Sequence, residues 1–351
     1  MRKVILLILI IIIFIPLIGY TNGGPTISNP NTNGYLKFDD DSKIALNKEE
    51  VSFTYINKPS FIGEGNFNVK YYLENTSNIK KNIKIIFVTS SGGNNRFKVK
   101  VNGEDIKVKS HESSLVIDNW KPVLIDEVKE PISGKKLSSI IGVKSTKGIN
   151  KNYPGYIEIP LTFNKKESKI LEINYMDFSA LYRKEAVVNP VYAHLYYLTP
   201  AKFFKGEPWI KLKVKLPDEG DYKLSSNIKL EKINNNTYER NMNKIPKKEW
   251  LFSFTNTKNL YFGTNENIKH LMFSILVIIL LMGIFYIIQT KTKIRYIIPI
   301  GSILIFIFIK EVIRKIKGGY GDVIYFSVFY ILIGIVLYKL NKIARKKINN
   351  K

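Results

Sequence analysis

Asp39, Asp41 and Glu50 stand at positions 1, 3 and 12 of a calcium-binding loop, a spacing at which side-chain oxygens can surround a divalent cation. Position 5 is Lys43, however, and position 6 is Ile44 where the sharp turn needs glycine, so this loop cannot close on an ion. Ser77 and Lys80 match the Ser-x-x-Lys arrangement of penicillin-binding serine enzymes. That chemistry needs the serine at a helix start, with Ser-x-Asn and Lys-Thr-Gly partners elsewhere. Here the pair falls in a turn between strands and the Lys-Thr-Gly partner is missing. The three histidines, His111, His194 and His270, are too scattered to read as a zinc pair and read instead as structural or surface residues. The chain has no Gly-x-Ser-x-Gly, phosphate-binding loop or His-Glu-x-x-His. With no cysteine, thiolate metal sites, thiol nucleophiles and disulfides are excluded. No catalytic residue, metal or cofactor is expected.

Two surface arrangements could recognise a partner. Lys211, Lys213 and Lys215 alternate with Ile210, Leu212 and Val214, which puts the three ammonium groups on one strand face about 6.8 Å apart. That spacing could track an anionic wall polymer, or it could be a solvated face or a lysine-guarded edge strand. Tyr192, Tyr196, Tyr197, Phe203, Phe204 and Trp209 are the second arrangement, either a platform for sugar rings or packing in a core.

The elements that would position these residues are strands. Phe67, Val69, Tyr71 and Leu73 alternate, a polar turn follows at residues 75–78, and Ile83, Ile85 and Phe87 alternate again. Phe97, Val99 and Val101 lead to Asn102-Gly103, a strong hairpin signal. Ile157, Ile159, Leu161 and Phe163 face Leu171, Ile173 and Tyr175 across a short polar loop. Single apolar faces and frequent turns predict an all-β domain built of two β-sandwich units, residues 20–183 and 188–262. The first carries an irregular Lys-, Ser-, Gly- and Pro-rich insertion at 118–155.

Val69-x-Tyr71-x-Leu73-x-Asn75-x-Ser77, Phe87 and Val99-x-Val101-Asn102-Gly103 resemble immunoglobulin-like domains of exported bacterial membrane proteins of unknown function. Tyr196-Tyr197-Leu198-x-Pro200, Trp209 and Val214-x-Leu216-Pro217 are similar to their second halves. The resemblance implies two packed β-domains on a membrane anchor and no activity.

Hydrophobic runs supply the location. Residues 4–18 follow Arg2 and Lys3 in the layout of a signal peptide or signal anchor, assigned to residues 1–19. Residues 271–288, 296–313 and 323–338 are expected as three membrane helices, followed by a basic tail at 339–351. An apolar stripe of Ile309, Val312, Ile313 and Ile316 could lie on the membrane surface or simply continue the second span. Nine basic residues in the first short loop and the tail, against four in the other loop, put the large domain outside the cytoplasm. The net charge is +25, from 54 basic and 29 acidic residues, and the exported stretch keeps +11 of it. Seven arginines beside 47 lysines suggest codon bias, so this excess is not a nucleic-acid signal and no nucleic-acid partner is expected. The spans hold no ionisable group at mid-membrane, which argues against a transporter. The expected function is non-enzymatic: a multi-pass cell-membrane protein whose outer domain binds wall polymer or a surface or membrane partner. The alternative is a sensor or substrate-binding accessory subunit of a transport or signalling complex.

Overall fold

A computed structural model describes residues 32–33, 35–37, 43–56, 64–89, 97–111, 127–138, 155–182, 187–258, 260, 262–316 and 320–350. The expected signal at 1–19, Asp39, Asp41 and most of the 118–155 insertion lie outside them. The chain divides into two compact units, a β-domain (residues 26–182 and 190–258) and a helical unit that contains residues 259–351.

An eight-stranded sheet forms one layer of the β-domain. Its strands are β3 (Ile44–Tyr55), β4 (Glu64–Asn75), β6 (Phe97–Val101), β7 (Glu104–Asp105), β12 (Ser168–Phe178), β15 (Trp209–Lys215), β17 (Glu231–Lys232) and β18 (Thr237–Met242). They lie in the order β17-β18-β15-β3-β4-β12-β6-β7. Two smaller sheets face it. One joins β1 (Thr32–Asn33), β13 (Ala180–Tyr182), β14 (Val191–Tyr196), β16 (Tyr222–Ser226) and β19 (Trp250–Asn256). The other joins β2 (Tyr35–Lys37), β5 (Lys81–Thr89), β8 (Lys109–His111) and β11 (Gly155–Phe163). Phe53 of β3 meets Phe252 of β19 at 5.1 Å, and Tyr175 of β12 meets Phe87 of β5 at 5.4 Å, so one core fills the space between the layers.

The two β-units expected at 20–183 and 188–262 are therefore one domain. β15 runs parallel to β3, from Trp209 beside Lys48 to Lys215 beside Thr54, and β18 extends the same sheet. A parallel pair needs a long crossover and leaves no local turn in the sequence, which is why the pairing was hidden. The turn after β4 does not close a hairpin. β4 and β5 belong to opposing sheets, so Asn75–Asn78 carries the chain across the core. Asn102-Gly103 behaves as its sequence demands, with φ of 53° and 91° at the tip of the β6–β7 hairpin. The expected irregular insertion holds a short hairpin of β9 (Glu127–Lys129) and β10 (Lys136–Ser138), whose turn is tied by Glu130 accepting from the Ile132 and Ser133 N–H groups.

Two local features set the core. A β-bulge between Leu46 and Lys48 shifts the register of β3, so the inward set changes from Ile44 and Leu46 to Glu49, Val51 and Phe53. Gly65 lies beside the Phe53 ring, and a Cβ there would stand 2.0 Å from a ring carbon.

In the helical unit, α1 (Asn267–Thr292), α2 (Ile297–Ile316) and α3 (Tyr320–Asn349) form where the three apolar runs lie. Among the described residues α1 is the one helix both long and apolar enough to cross a membrane. The three helices share an apolar interior that includes Ile278, Met282, Ile305, Ile309, Val336 and Leu337. α2 is unbroken to Ile316, so the 309–316 stripe continues that helix, and Ile309 and Val312 are buried. Gln289 fixes the bundle at one end. It is fully buried, donates to Asn341 Oδ1 of α3 at 2.9 Å and accepts the Ile298 N–H of α2 at 2.8 Å. Gly301 lets α2 approach α1, since a Cβ there would fall 2.4 Å from the Phe285 ring. Gly283 has open space around its Cβ position.

Candidate functional site

Lys211, Lys213 and Lys215 do share the outer face of the eight-stranded sheet, as their spacing predicts. β15 is an interior strand rather than an edge, because β18 and β3 flank it. Across the sheet, register sets Asp105, Lys100, Glu172, Lys70, Glu50 and Lys211 in one row of alternating sign. Lys70 lies 3.3 Å from Glu172, and Lys211 and Lys213 lie 3.2 and 2.9 Å from Glu239. The Lys213 and Lys211 ammonium groups hold the Glu239 carboxyl below its ordinary range. Each such exposed pair contributes at most about 1 kcal/mol. Their larger consequence is that the positive row is neutralised within its own sheet. Lys211 and Lys213 are thus not the open phosphate track that their spacing alone suggested. Glu50, position 12 of the calcium pattern, sits on this face 2.7 Å from Lys48 and accepts from the Tyr72 hydroxyl.

The aromatic group is packing rather than a platform. Tyr196, Tyr197 and Phe204 are buried, while Phe203 and Trp209 are half-buried. Trp209 shares Lys48 with Tyr72, the ammonium lying 4.8 and 4.9 Å from the two rings. A sugar ring would need an open aromatic face, and these five do not present one together.

Inside the β-domain the bulge in β3 produces an arrangement that sequence reasoning missed. Glu49 points into the core, where Tyr196 donates to its Oε1 at 2.9 Å and Tyr71 stands 2.6 Å from the Tyr196 oxygen. Tyr175 and Asp177 follow Leu171 and Ile173 along the inward face of β12, and Asp177 Oδ2 is 2.7 Å from His194 Nδ1. None of these six residues is more than 3% exposed. Among the described residues Glu49 Oε2, the Tyr175 hydroxyl and His194 Nε2 find no hydrogen-bond partner. Burial pushes the Glu49 carboxyl up to about 8, against the lowering effect of the Tyr196 hydrogen bond, and the nearby Glu249 raises it further. Burial also raises the hydroxyls of Tyr71, Tyr175 and Tyr196, with nearby carboxylates adding to it. One cue was present: a carboxylate at 177 continues the apolar alternation 171, 173, 175. No comparable cue marks Glu49, because the bulge decides its direction.

A carboxylate holding an imidazole is the orienting half of a hydrolase triad. Here Phe53, Phe67, Phe252 and Phe254 surround the His194 ring, with Phe53 at 4.3 Å, so a nucleophile's place is filled by hydrocarbon. The cluster can hold a proton on Glu49, and it is sealed from any substrate in this conformation. Ser77 likewise spends its hydroxyl in its turn, on Asn75 Oδ1 at 2.7 Å. His270 is buried in the first turn of α1. Among the described residues no three His, Cys, Asp or Glu side chains group as metal ligands.

No protein-family model and no curated protein matches the chain. Solved structures resemble it weakly. A candidate nutrient-binding protein from Legionella pneumophila superposes with a TM-score of 0.46 at 12% identity, covering 65% of this chain and 71% of that one. An M1 zinc metallopeptidase from Deinococcus radiodurans gives 0.30 at 9% identity, over 60% of this chain and 42% of that one. Yeast LTA4 hydrolase gives 0.34 at 8% identity, over 61% and 29%. Likenesses of this size carry no argument about activity.

Proposed function

We propose that the chain is a membrane-anchored envelope protein that works by binding. Its β-domain stands outside the cytoplasm and engages wall polymer or a surface or membrane partner without a chemical step. The observation that carries this reading is the inverted surface of the helical unit. Gln289 and Asn341 are hydrogen-bonded inside it, while Met272, Leu276, Leu280, Ile284, Ile303 and Ile331 are exposed outside. Exposing such a side chain to water costs roughly 1.5–3 kcal/mol, a penalty that lipid removes. α1 supplies one span, and α2 and α3, packed on it and apolar on their outer faces, are assigned as two more.

Orientation follows from charge. Lys291, Lys293 and Arg295 share one end of the bundle with the basic end of α3, where Arg295 donates to Asn349 Oδ1 at 3.1 Å. The positive-inside bias assigns that end to the cytoplasm and residues 20–268 to the outside. The resemblance to exported bacterial membrane proteins agrees, and the enclosure of the Glu49 cluster favours binding over catalysis. A photoreactive residue at Asn235, exposed on the β-domain, tests this in intact cells. Recovery of envelope polymer or an envelope protein is expected. Crosslinks to cytoplasmic proteins alone refute it.

A further inference from the structure

Four stretches remote in sequence meet at one end of the β-domain, and each brings exposed lysine. Asn75, wholly buried at the end of β4, ties them together: its side-chain amide donates to the Ile79 and Asn164 carbonyls at 2.8 and 2.7 Å. Its backbone N–H donates to the Glu167 carbonyl at 2.9 Å. Thr76 donates to the Lys43 carbonyl through its N–H at 2.9 Å and its hydroxyl at 2.7 Å. The Lys166 N–H donates to the Ser77 carbonyl at 3.2 Å. Lys205 lies against β3, donating to the Ile44 carbonyl at 3.2 Å and accepting from the Leu46 N–H at 3.1 Å. Hydrogen-bonded backbones are about 5 Å apart, so Lys205, Lys43 and Lys166 stand on successive neighbouring segments, with Lys80 and Lys165 in the same two turns.

Lys43, Lys80, Lys165, Lys166 and Lys205 are all exposed. None is in an ion pair among the described residues, and Lys166 Nζ donates to the Thr76 carbonyl at 2.7 Å. Among the described residues the nearby acids do not balance them. Glu167 is held by Lys169 and the Asn164 N–H, Glu74 accepts from Asn47, and Glu207 adds one exposed charge. On the sheet face Lys70, Lys211 and Lys213 each have a carboxylate within 3.3 Å, whereas here five cations are gathered on a hydrogen-bonded frame without that compensation among the described residues. Ile79, 61% exposed among them, adds an apolar contact point. Lys166 occupies φ 56°, a backbone region that glycine or asparagine usually fills, so this turn keeps lysine at a conformational cost.

We propose that this end of the β-domain is a docking surface for a phosphate-bearing polyanion, an extended polymer carrying one charge per repeat. Clustered ammonium groups suit phosphate as point charges, and the uncompensated field draws such a chain in and falls off with salt. The inference deepens the envelope-binding reading by naming the partner class and moving the contact from β15 to the end of the domain.

The test uses the full chain in detergent with fluorescent poly(glycerol phosphate), titrated at several salt concentrations. Lys43, Lys80, Lys165 and Lys205 change together to Gln, and Lys166 is kept because it holds the turn. That variant is expected to lose at least about tenfold in affinity and about three in the log-affinity against log-salt slope, by analogy with counterion release from nucleic acids. A Lys211→Gln, Lys213→Gln, Lys215→Gln control is expected to stay within about twofold, and the same four lysines changed to Arg are expected to retain binding. Tryptophan fluorescence checks that each variant is folded. Equal loss in both Gln variants, or binding only to phosphatidylglycerol vesicles and not to the polymer, overturns the proposal. The assay does not depend on which side of a membrane the domain faces, so its failure is distinct from a failure of the topology.

Discussion

Glu49→Gln should remove most of the pH dependence of β-domain stability between pH 5 and 8. The folded chain holds the Glu49 carboxyl at about 8 against an ordinary 4.5. Over that interval the native state keeps a proton that the unfolded chain releases. Stability is therefore fully present below about 4.5 and is lost as pH rises through the folded value. A shift of 3.5 units at about 1.36 kcal/mol per unit gives about 5 kcal/mol, an upper figure because water entry would relax an ionised Glu49. Urea unfolding at pH 5, 6, 7 and 8 can be followed by tryptophan fluorescence, since Trp120, Trp209 and Trp250 all belong to the β-domain's stretch of sequence. The unaltered chain should lose about 3 kcal/mol across that range. The variant should keep the dependence that Glu249 contributes, because burial raises its carboxyl too. A pH profile unchanged by the substitution refutes the enclosed, protonated Glu49.

Gly65→Ala should lower stability by about 2 kcal/mol or more, measured by urea unfolding, because the new methyl would occupy the space of the Phe53 ring. His194→Ala should cost about 3 kcal/mol by removing the His194–Asp177 hydrogen bond and the imidazole packed among Phe53, Phe67, Phe252 and Phe254, and polymer binding should not change. Glu239→Gln should cost less than about 1 kcal/mol at low salt and nothing measurable at high salt. Its effect should fade as pH falls through the lowered carboxyl value below 4.5, so pH 6 at two salt concentrations is the informative comparison.

Alternation along single strands was legible from the sequence. Ile210, Leu212 and Val214 are buried while Lys211, Lys213 and Lys215 face outward, and Asn102-Gly103 turns a hairpin where its conformational preferences require one. What was not legible is the assembly of those strands. The β15–β3 pair is parallel and joins residues more than 150 positions apart, so no short-range signal marks it. The same limit explains the site. Glu239, which neutralises two of the three lysines, reaches them through β18 pairing. Glu49 enters the core only because one extra residue in β3 reverses its direction. The lysine-rich end depends on Asn75, whose amide bonds to two turns that the sequence separates by 85 residues, from Ile79 to Asn164. In the helical unit the apolar runs were plain, while the contact of the buried Gln289 with Asn341 is a tertiary feature without a local pattern.

The membrane orientation is tested most directly by cysteine labelling, for which the native chain is well suited because it has no cysteine. Single cysteines at Asn235 and Asn350, both exposed, are treated in intact cells with a membrane-impermeant maleimide. Labelling at 235 and protection at 350, with both reacting after lysis, is the predicted result. Labelling at 350 in intact cells, or protection at 235, would contradict an external β-domain on a three-span anchor.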